Sequence, residues 1–290
     1  CAVLVDSRNT SGSEDGILWS TAFDTVQEGL AEAASLVATY GACEVWVAVG
    51  TYIPTAGSDR AATFQLVADV DLYGGFAGDE LARGERDIEA NETVLSGDID
   101  VPSYAVDNAY HVVTGATGAT IDGFTILDGN ANGSGAGQMY GGGMYNRNAA
   151  PTVMNCTFED NAAAASNGGA VYFEFSSTAG SASATIANSV FTGNTAQKGG
   201  AISLAGASET SPFSLTVANC TFSGNTAEGT YSRGGAIYVA AYAQLTLANS
   251  VLWDDTSSST AGHELFVSSA AATSAAVSYT DIEGGYEGTG

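Results

Sequence analysis

Hydrophobic and polar positions alternate with a period of two through most of the chain, in short runs separated by Gly, Asn and Ser. The segments AIYVA (236–240) and QLTLANSVLW (244–253) are examples. Alternation of this length is typical of β-strands that bury one face, and no segment after residue 40 has a helical period. The pattern therefore predicts an all-β chain after residue 40.

The strand pattern repeats in the second half of the chain. A Gly-Gly pair begins at Gly141, Gly168, Gly199 and Gly234, at spacings of 27, 31 and 35 residues. Phe-x-x-Asn segments lie between these pairs and begin at Phe158, Phe191 and Phe222, with Leu252 at the matching place in the last repeat. Repeats of this length form solenoids, and short strands imply parallel pairing at about 4.8 Å. We therefore predict a single-stranded parallel β-helix.

The repeated residues have structural roles in such a coil. Three columns are expected along the axis: an apolar stack at Phe158, Phe191 and Phe222, one ladder at Asn155, Asn188, Asn219 and Asn249, and a second ladder at Asn161, Asn194 and Asn225. Asp255 replaces asparagine at the end of the second ladder. Stacked Asn side chains hydrogen-bond along the axis, and Asn tolerates the left-handed backbone that a sharp corner needs.

We predict a single domain that spans residues 1–290. Its first part, residues 1–140, does not carry the repeats described above. Apolar residues recur there at helical spacing and predict an α-helix at about 21–40. We expect this helix to cap the N-terminal coils, because the end of a solenoid core must be shielded from water. Residues 141–290 carry the repeats and show no second helix, which predicts an uncapped C-terminal end.

The chain is strongly acidic: 32 Asp and Glu residues stand against 7 Lys and Arg residues, for a formal net charge of −25 at pH 7. A surface of this sign repels nucleic acids and anionic lipids, which excludes both as natural partners. No apolar run approaches the roughly 18 residues of a membrane span. Since the chain begins at Cys1 rather than Met, these features predict a secreted or cell-surface protein whose signal peptide has been removed.

The four cysteines fall into two pairs. Cys1 and Cys43 each precede a β-type run, and pairing the runs in register brings the two Cα atoms to about 5 Å, within disulfide range. We predict this disulfide, with a lipidated Cys1 as the alternative. Cys156 and Cys220 share a repeat position two coils apart, about 9.6 Å, so both are expected as buried free thiols.

A calcium loop is the one cofactor site that the sequence suggests. Asp128, Asn130 and Asn132 match the first half of such a loop, DGNANG, but the bidentate acid at its twelfth position is missing. A plain turn between coils is the alternative. No other cofactor is expected.

Polysaccharide lyases and pectinase-type hydrolases use the β-helix scaffold, so an enzyme is the main alternative to a structural protein. A lyase needs a basic side chain to abstract a proton. All seven cations are expected outside strands, and Lys198 and Arg233 precede Gly-Gly pairs in predicted turns. His111 and His263 have no partnered nucleophile, and the repeat explains Asp255 of the WDD segment as a ladder residue. We assign no catalytic residue.

Three tyrosines occupy one repeat position, four residues after the first glycine of a Gly-Gly pair: Tyr145, Tyr172 and Tyr238. Ser203 holds this position in the remaining repeat. Alternation predicts that the tyrosines point outward, where an exposed aromatic row can bind sugar rings or another protein. The alternative is that the tyrosines only shield a sheet face.

The combination of Gly-Gly-Ala-[Ile/Val] with Phe-x-x-Asn resembles the repeats of chlamydial polymorphic outer-membrane proteins. The wider layout is similar to bacterial secreted or surface right-handed parallel β-helix proteins, with the segments WSTAF, EVWVAVGTY, LYGGFAG and RDIEANETVLSGDI as further points of likeness. The resemblance covers nearly the whole chain. It implies a right-handed β-helix, display at the cell surface and a role in adhesion or in a matrix.

We therefore expect a non-enzymatic extracellular or cell-surface protein with a structural or adhesive role. Its partner would be a second copy, packed head to tail into a filament, or a protein or glycan on a host or neighbouring cell. The alternative is a carbohydrate-binding or polysaccharide-degrading protein on the same scaffold.

Overall fold

A computed structural model describes residues 1–135, 137–176, 181–259, 263–270 and 272–286. These residues form a parallel β-solenoid with an α-helix at its N-terminal end. Successive coils contribute strands to three long sheets, A, B and C, and four coils add a strand to a shorter sheet, D. The architecture predicted from the alternation and the repeats is confirmed.

The strands are numbered in chain order, and neighbours within each sheet are hydrogen-bonded in parallel. Sheet A has nine strands: β1 (Ala2–Val5), β2 (Cys43–Ala48), β5 (Val70–Phe76), β8 (Thr120–Asp122), β11 (Thr152–Met154), β15 (Ala182–Ala187), β19 (Phe213–Ala218), β23 (Ala243–Ala248) and β27 (Ser274–Ser278). Sheet B has eight: β3 (Gly50–Tyr52), β6 (Thr93–Ser96), β9 (Thr125–Leu127), β12 (Thr157–Glu159), β16 (Val190–Thr192), β20 (Thr221–Ser223), β24 (Val251–Trp253) and β28 (Asp281–Ile282). Sheet C has seven: β4 (Phe64–Gln65), β7 (Val113–Thr114), β10 (Met144–Arg147), β14 (Val171–Glu174), β18 (Ile202–Ala205), β22 (Ile237–Val239) and β26 (Leu265–Val267). Sheet D has four: β13 (Ala162–Asn167), β17 (Thr195–Lys198), β21 (Thr226–Ala227) and β25 (Thr256–Ser257).

The capping helix α1 spans Val26–Tyr40 and begins about five residues later than the sequence predicts. The reason is tertiary, because Phe23 is held extended beside β1 by two backbone hydrogen bonds, from its N–H to the Leu4 carbonyl and from the Asp6 N–H to its carbonyl. Thr25 then caps the helix, since its Oγ1 accepts the Glu28 N–H at 3.3 Å. The two short 3₁₀ turns lie at Trp19–Thr21 and Arg83–Glu85.

One apolar core cluster runs inside the coils from the first strand to β26. Phe158, Phe191 and Phe222 are fully buried and lie in register, with Leu252 on the next coil. Their rings stack with centroids 5.0 and 4.7 Å apart and nearly parallel planes. The phenylalanine column is therefore continuous over three coils, because the same residue recurs at the same place in each of them.

The cysteines lie as two pairs in different surroundings. Cys1 and Cys43 form a disulfide with their Cα atoms 4.7 Å apart, and it ties β1 to β2. Cys156 and Cys220 are buried free thiols. Each of their backbone N–H groups donates to a serine hydroxyl of the following coil, Ser189 or Ser250. Cysteine and serine thus alternate along one column.

The two ends of the solenoid differ. At the N-terminal end, α1 packs on the first coils, and residues 16 and 23 hydrogen-bond along the outer side of β1. At the C-terminal end, β26, β27 and β28 each stand last in their sheets within the described chain. The inward Ala275 and Val277 of β27 are only partly buried. Within the described residues, no further strand pairs with the outer side of β26, β27 or β28.

Candidate functional site

The outward column of sheet C carries the tyrosines. Strand register places the following residues on one line: Gln65, Thr114, Tyr145, Tyr172, Ser203, Tyr238 and Phe266. Their neighbours at the preceding position, such as Val171 and Ile237, are fully buried in the core. We call Tyr145, Tyr172, Tyr238 and Phe266 the aromatic row.

The prediction that the tyrosines are exposed is wrong for Tyr172, which is 5% exposed. Tyr140, just before the Gly-Gly pair of the preceding coil, stacks on Tyr172 with ring centroids 4.6 Å apart. His111 covers Tyr145 in the same way at 4.9 Å, and burial lowers the pKa of this histidine. Tyr145 and Tyr238 are half-buried. The row points outward, but side chains from neighbouring corners cover part of it.

Two cations cover the other part of the row. Lys198 is the last residue of β17, so the prediction that it lies in a turn is wrong. Its Nζ lies 5.4 Å from the centroid of the Tyr238 ring. The Cζ of Arg233 lies 4.5 Å from the centroid of Phe266. Each cation precedes the Gly-Gly pair of its own coil and reaches the ring of the next coil. We call these four residues the cationic patch.

No ion pair joins the two cations of the patch to an acid among the described residues. Among the described residues, ion pairs within 4.0 Å join Arg8 to Asp6, Arg83 to Glu44, Arg86 to Asp122 and Arg147 to Glu174. Arg147, on β10, is also a cation that the sequence placed outside strands. Arg60 donates to backbone carbonyls instead. The contacts found for the Lys198 and Arg233 side chains are with aromatic rings and not with acids, although acids outnumber bases in the chain by more than four to one.

The candidate calcium residues are engaged separately. The Oδ1 of Asn132 accepts a hydrogen bond from the Arg60 guanidinium at 2.8 Å, and the Asn130 amide donates to the Ala105 carbonyl. Asp128 has a left-handed backbone, and burial raises the pKa of its carboxyl group. A cationic guanidinium at Asn132 opposes a nearby Ca²⁺. Across the described ranges, no group of three or more His, Cys, Asp and Glu residues is placed to hold a metal.

The outer ladder runs along the corner between sheets A and B. Asn155, Asn188, Asn219 and Asn249 all have positive φ, between 50° and 57°. The Nδ2 of Asn188 donates to the Oδ1 of Asn155 at 3.2 Å, and that of Asn219 to the Oδ1 of Asn188 at 3.0 Å. Asn155 in turn donates to Asp122, at 2.7 Å, which carries the ladder into a coil where the sequence motif is absent.

The inner ladder consists of Asn161, Asn194, Asn225 and Asp255, and it is buried throughout. The backbone N–H and the side-chain amide of each asparagine both donate to the Oδ1 of the next ladder residue, at 2.7 to 3.1 Å. The same amides also donate to backbone carbonyls of the preceding coil, at Ile126, Phe158 and Phe191. These contacts make the ladder a continuous hydrogen-bonded rod beside the phenylalanine column.

Sequence reasoning missed one feature of the inner ladder, the buried Glu264. Its Oε1 accepts the Asp255 N–H at 3.2 Å, so it follows Asp255 as the next rung. The signal was present: GHEL (262–265) aligns with GGAI (234–237), and strand register pairs Leu265 with Ile237. Glu264 thus occupies the repeat position that follows the Gly-Gly pair, where the other coils have a small residue. The pair borders a cavity of about 330 Å³.

A groove on sheet B is another concavity with polar residues in its walls. It measures about 370 Å³ and is lined in part by Glu89, Glu92 and Asn155. The nearby Arg86 lies 2.7 Å from Asp122 and also donates to two backbone carbonyls. Its guanidinium is therefore held in place by the fold and is not available as a catalytic base.

The fold and these columns define a parallel β-helix repeat protein. The family model of the Chlamydia polymorphic membrane protein repeat matches residues 155–174, 188–205 and 219–240. Each match begins at an outer-ladder asparagine and runs through the inner ladder into sheet C or beyond. The chain thus contains three repeats similar to those of the chlamydial proteins.

Two further comparisons give no match, one with curated proteins and one with solved structures. Within the described residues, α1 and the 3₁₀ turns are all too short or too polar to cross a membrane as a helix.

Proposed function

We propose that this chain is an extracellular or cell-surface adhesive protein, and that its cationic patch binds glycans containing acidic sugars. The repeats are similar to those of Chlamydia polymorphic membrane proteins, which supports display at the cell surface. The observation that carries the binding proposal is that Lys198 and Arg233 lie on aromatic rings without an acidic partner among the described residues.

The patch supplies the positive charge that recognition of an acidic sugar requires. A guanidinium or ammonium group forms charge-assisted hydrogen bonds with a carboxylate, and the rings beneath Lys198 and Arg233 hold the two cations in place without neutralising their charge. Parallel coils hold the patch residues at a repeat of about 4.8 Å, so little ordering is needed on binding.

The expected affinity of one patch is low. Exposed ion pairs contribute about 0.2–1 kcal/mol each, so two cations cannot give tight binding by themselves. Adhesion would depend on many copies displayed on one surface, because multivalent contact raises avidity without new interactions. The acidic remainder of the chain would exclude polyanions from the other faces.

The test is a titration of the protein with oligogalacturonate and with a neutral oligosaccharide of the same length, followed by NMR or calorimetry. We expect binding of the acidic oligomer only, weakened by salt and lost in Lys198→Gln and Arg233→Gln. Arg147→Gln is the matched control, since Arg147 lies on sheet C, as Tyr238 and Phe266 of the patch do, but is paired with Glu174. Equal binding of the neutral oligomer, or equal loss in the control, contradicts the proposal. Shortening of the oligomer during the titration would favour the enzymatic alternative.

Self-association is a second proposal, and it is supported by β26, β27 and β28, to which no further strand pairs among the described residues. At the N-terminal end, α1 packs on β1 and β4, and residues 16 and 23 hydrogen-bond to β1, which favours contact between two C-terminal ends over a head-to-tail filament. Sedimentation velocity over a concentration series tests this. A dimer as the limiting species supports the proposal, whereas filaments or a monomer at every concentration contradict it.

A further inference from the structure

The inner ladder follows one rule until its last two rungs. In Asn161, Asn194 and Asn225, the side-chain oxygen accepts hydrogen bonds and the side-chain amide donates them. The amide is the essential donor, because it meets two acceptors, the next Oδ1 and a carbonyl of the preceding coil. A buried acceptor without a donor is costly, so every rung needs a donor at this place.

Asp255 breaks this rule. Its Oδ1 accepts from the N–H and the amide of Asn225 at 2.7 Å, as an asparagine would. Its Oδ2 therefore takes the place of the amide nitrogen. By the ladder register, this oxygen faces the next rung, Glu264, which is also an acid. The Asp255 Oδ2 and the Glu264 Oε2 are both buried and have no hydrogen-bond donor beside them.

We infer that Asp255 and Glu264 share one bound proton at neutral pH, and that this proton closes the C-terminal end of the inner ladder. With a proton between them, one carboxyl group donates where the asparagine amide donates in earlier coils. Without it, two carboxylates face each other in a site that is shielded from water, which is the arrangement that makes paired aspartates hold a proton. Loss of the proton should loosen the coil that contains β26 and β28.

The surroundings of the pair strengthen its hold on the proton. Asp254 and Glu283 flank it and are both acidic, and His263 lines the adjacent cavity. Burial is the largest cause that raises the pKa of Glu264, to about 9, and the charges of Asp255 and Glu283 act in the same direction. Burial also raises the pKa of Asp255.

The direction of the pH effect follows from these shifts. Because the folded pKa of Glu264 is raised, the folded coil holds a proton that the opened coil releases between the ordinary value of 4.5 and about 9. Its stabilising effect is complete below the lower value and is lost as the pH rises through the upper one. Opening of the last coil should become roughly tenfold more favourable per pH unit within this window.

The experiment is amide hydrogen exchange of the intact chain across this pH window, corrected for the intrinsic pH dependence of exchange. We expect the protection of β26 and β28 to fall with rising pH in the wild-type chain. Asp255→Asn and Glu264→Gln each supply an amide donor, so both should remove this fall and increase protection at alkaline pH. Asp281→Asn is the control, because Asp281 is an exposed acid of β28 outside the pair.

Three results would overturn the inference. The first is a pH-independent protection of β26 and β28 in the wild-type chain. The second is a fall that Asp281→Asn removes as well as Asp255→Asn, which would assign the effect to general charge repulsion. The third is recovery of protection on adding Na⁺ or Ca²⁺ at alkaline pH in the wild type but not in Asp255→Asn, which would make the pair a cation site. A protonated-carboxyl infrared band that both amide variants remove gives an independent positive readout.

Discussion

Replacing Asn194 by alanine should be among the most destabilising single substitutions in this chain. Asn194 is fully buried at the middle of the inner ladder. Its Oδ1 accepts the N–H and the amide of Asn161, and its own amide donates to the Phe158 carbonyl and to Asn225. Alanine leaves the Asn161 N–H and the Phe158 carbonyl buried without these partners and weakens two further contacts. At about 1–3 kcal/mol for each unpaired buried group, we expect a loss of about 3–5 kcal/mol.

The outer ladder supplies the matched control. Asn188 also makes a ladder hydrogen bond, at 3.2 Å to Asn155, but its side chain is exposed and its φ is 53°. Glycine accepts this backbone conformation, and water replaces the lost partner, so Asn188→Gly should cost about 1 kcal/mol or less. Urea unfolding, followed by both tryptophan fluorescence and far-ultraviolet circular dichroism, gives the comparison. If fluorescence and circular dichroism give different unfolding curves, the urea concentrations at the midpoints are compared instead of the free energies of unfolding. Equal losses in the two variants would refute the view that buried donors and acceptors make the inner ladder essential.

Three further predictions concern the core and the cysteines. Replacing Cys1 and Cys43 by serine should lower the free energy of unfolding by about 2–4 kcal/mol, measured by urea unfolding, because the bond closes a long loop in the unfolded chain. Phe191→Ala should cost about 3–5 kcal/mol in the same assay, because it leaves a cavity between two stacked rings, whereas Phe191→Leu should cost clearly less. Cys156 and Cys220 should resist a thiol reagent at mildly alkaline pH until the chain unfolds, because burial raises their pKa values to about 12 and about 11. Rapid labelling of the folded chain would contradict their placement.

The sequence predicts the columns well because a parallel coil stacks each residue on its counterpart. Once the Gly-Gly and Phe-x-x-Asn segments are aligned, the positions of Phe191 and Asn194 in the coil follow without any knowledge of side-chain conformation. Contacts between adjacent corners do not follow in this way. Whether Tyr140 lies over Tyr172 depends on the path of the chain before the Gly-Gly pair, and this path has no repeat to define it.

Glu264 was missed for a different reason. The terminal repeat has lost both the Gly-Gly pair and the alanine, so the motif that guided the alignment is no longer visible there. Only the match of Leu265 and Val267 with Ile237 and Val239 preserves the register. A charged residue in an otherwise small, buried column was the available signal, and it required alignment by strand pattern rather than by motif.

Differences in loop length support the proposal that binding takes place on sheet C. The outer and inner ladder residues are always six positions apart, as in Asn219 and Asn225, and they flank the short strand of sheet B in each of these coils. The distance from the inner ladder to the next Gly-Gly pair varies from five to nine residues, and the return from sheet C to sheet A varies as well. Both variable segments border sheet C.

The longest of the segments between the inner ladder and a Gly-Gly pair ends at Arg233 of the cationic patch. Residues 226–233 connect the inner ladder to Gly234, carry Tyr231 with 69% of its surface exposed, and end at Arg233. Loops held by a rigid scaffold can change in length and sequence without loss of the fold, and binding residues concentrate on them for that reason. In this solenoid the spacing of the two ladders is constant, whereas the segments that end at Lys198 and Arg233 differ in length, so the residues proposed to bind can change without disturbing the hydrogen-bonded rod that holds the coils together.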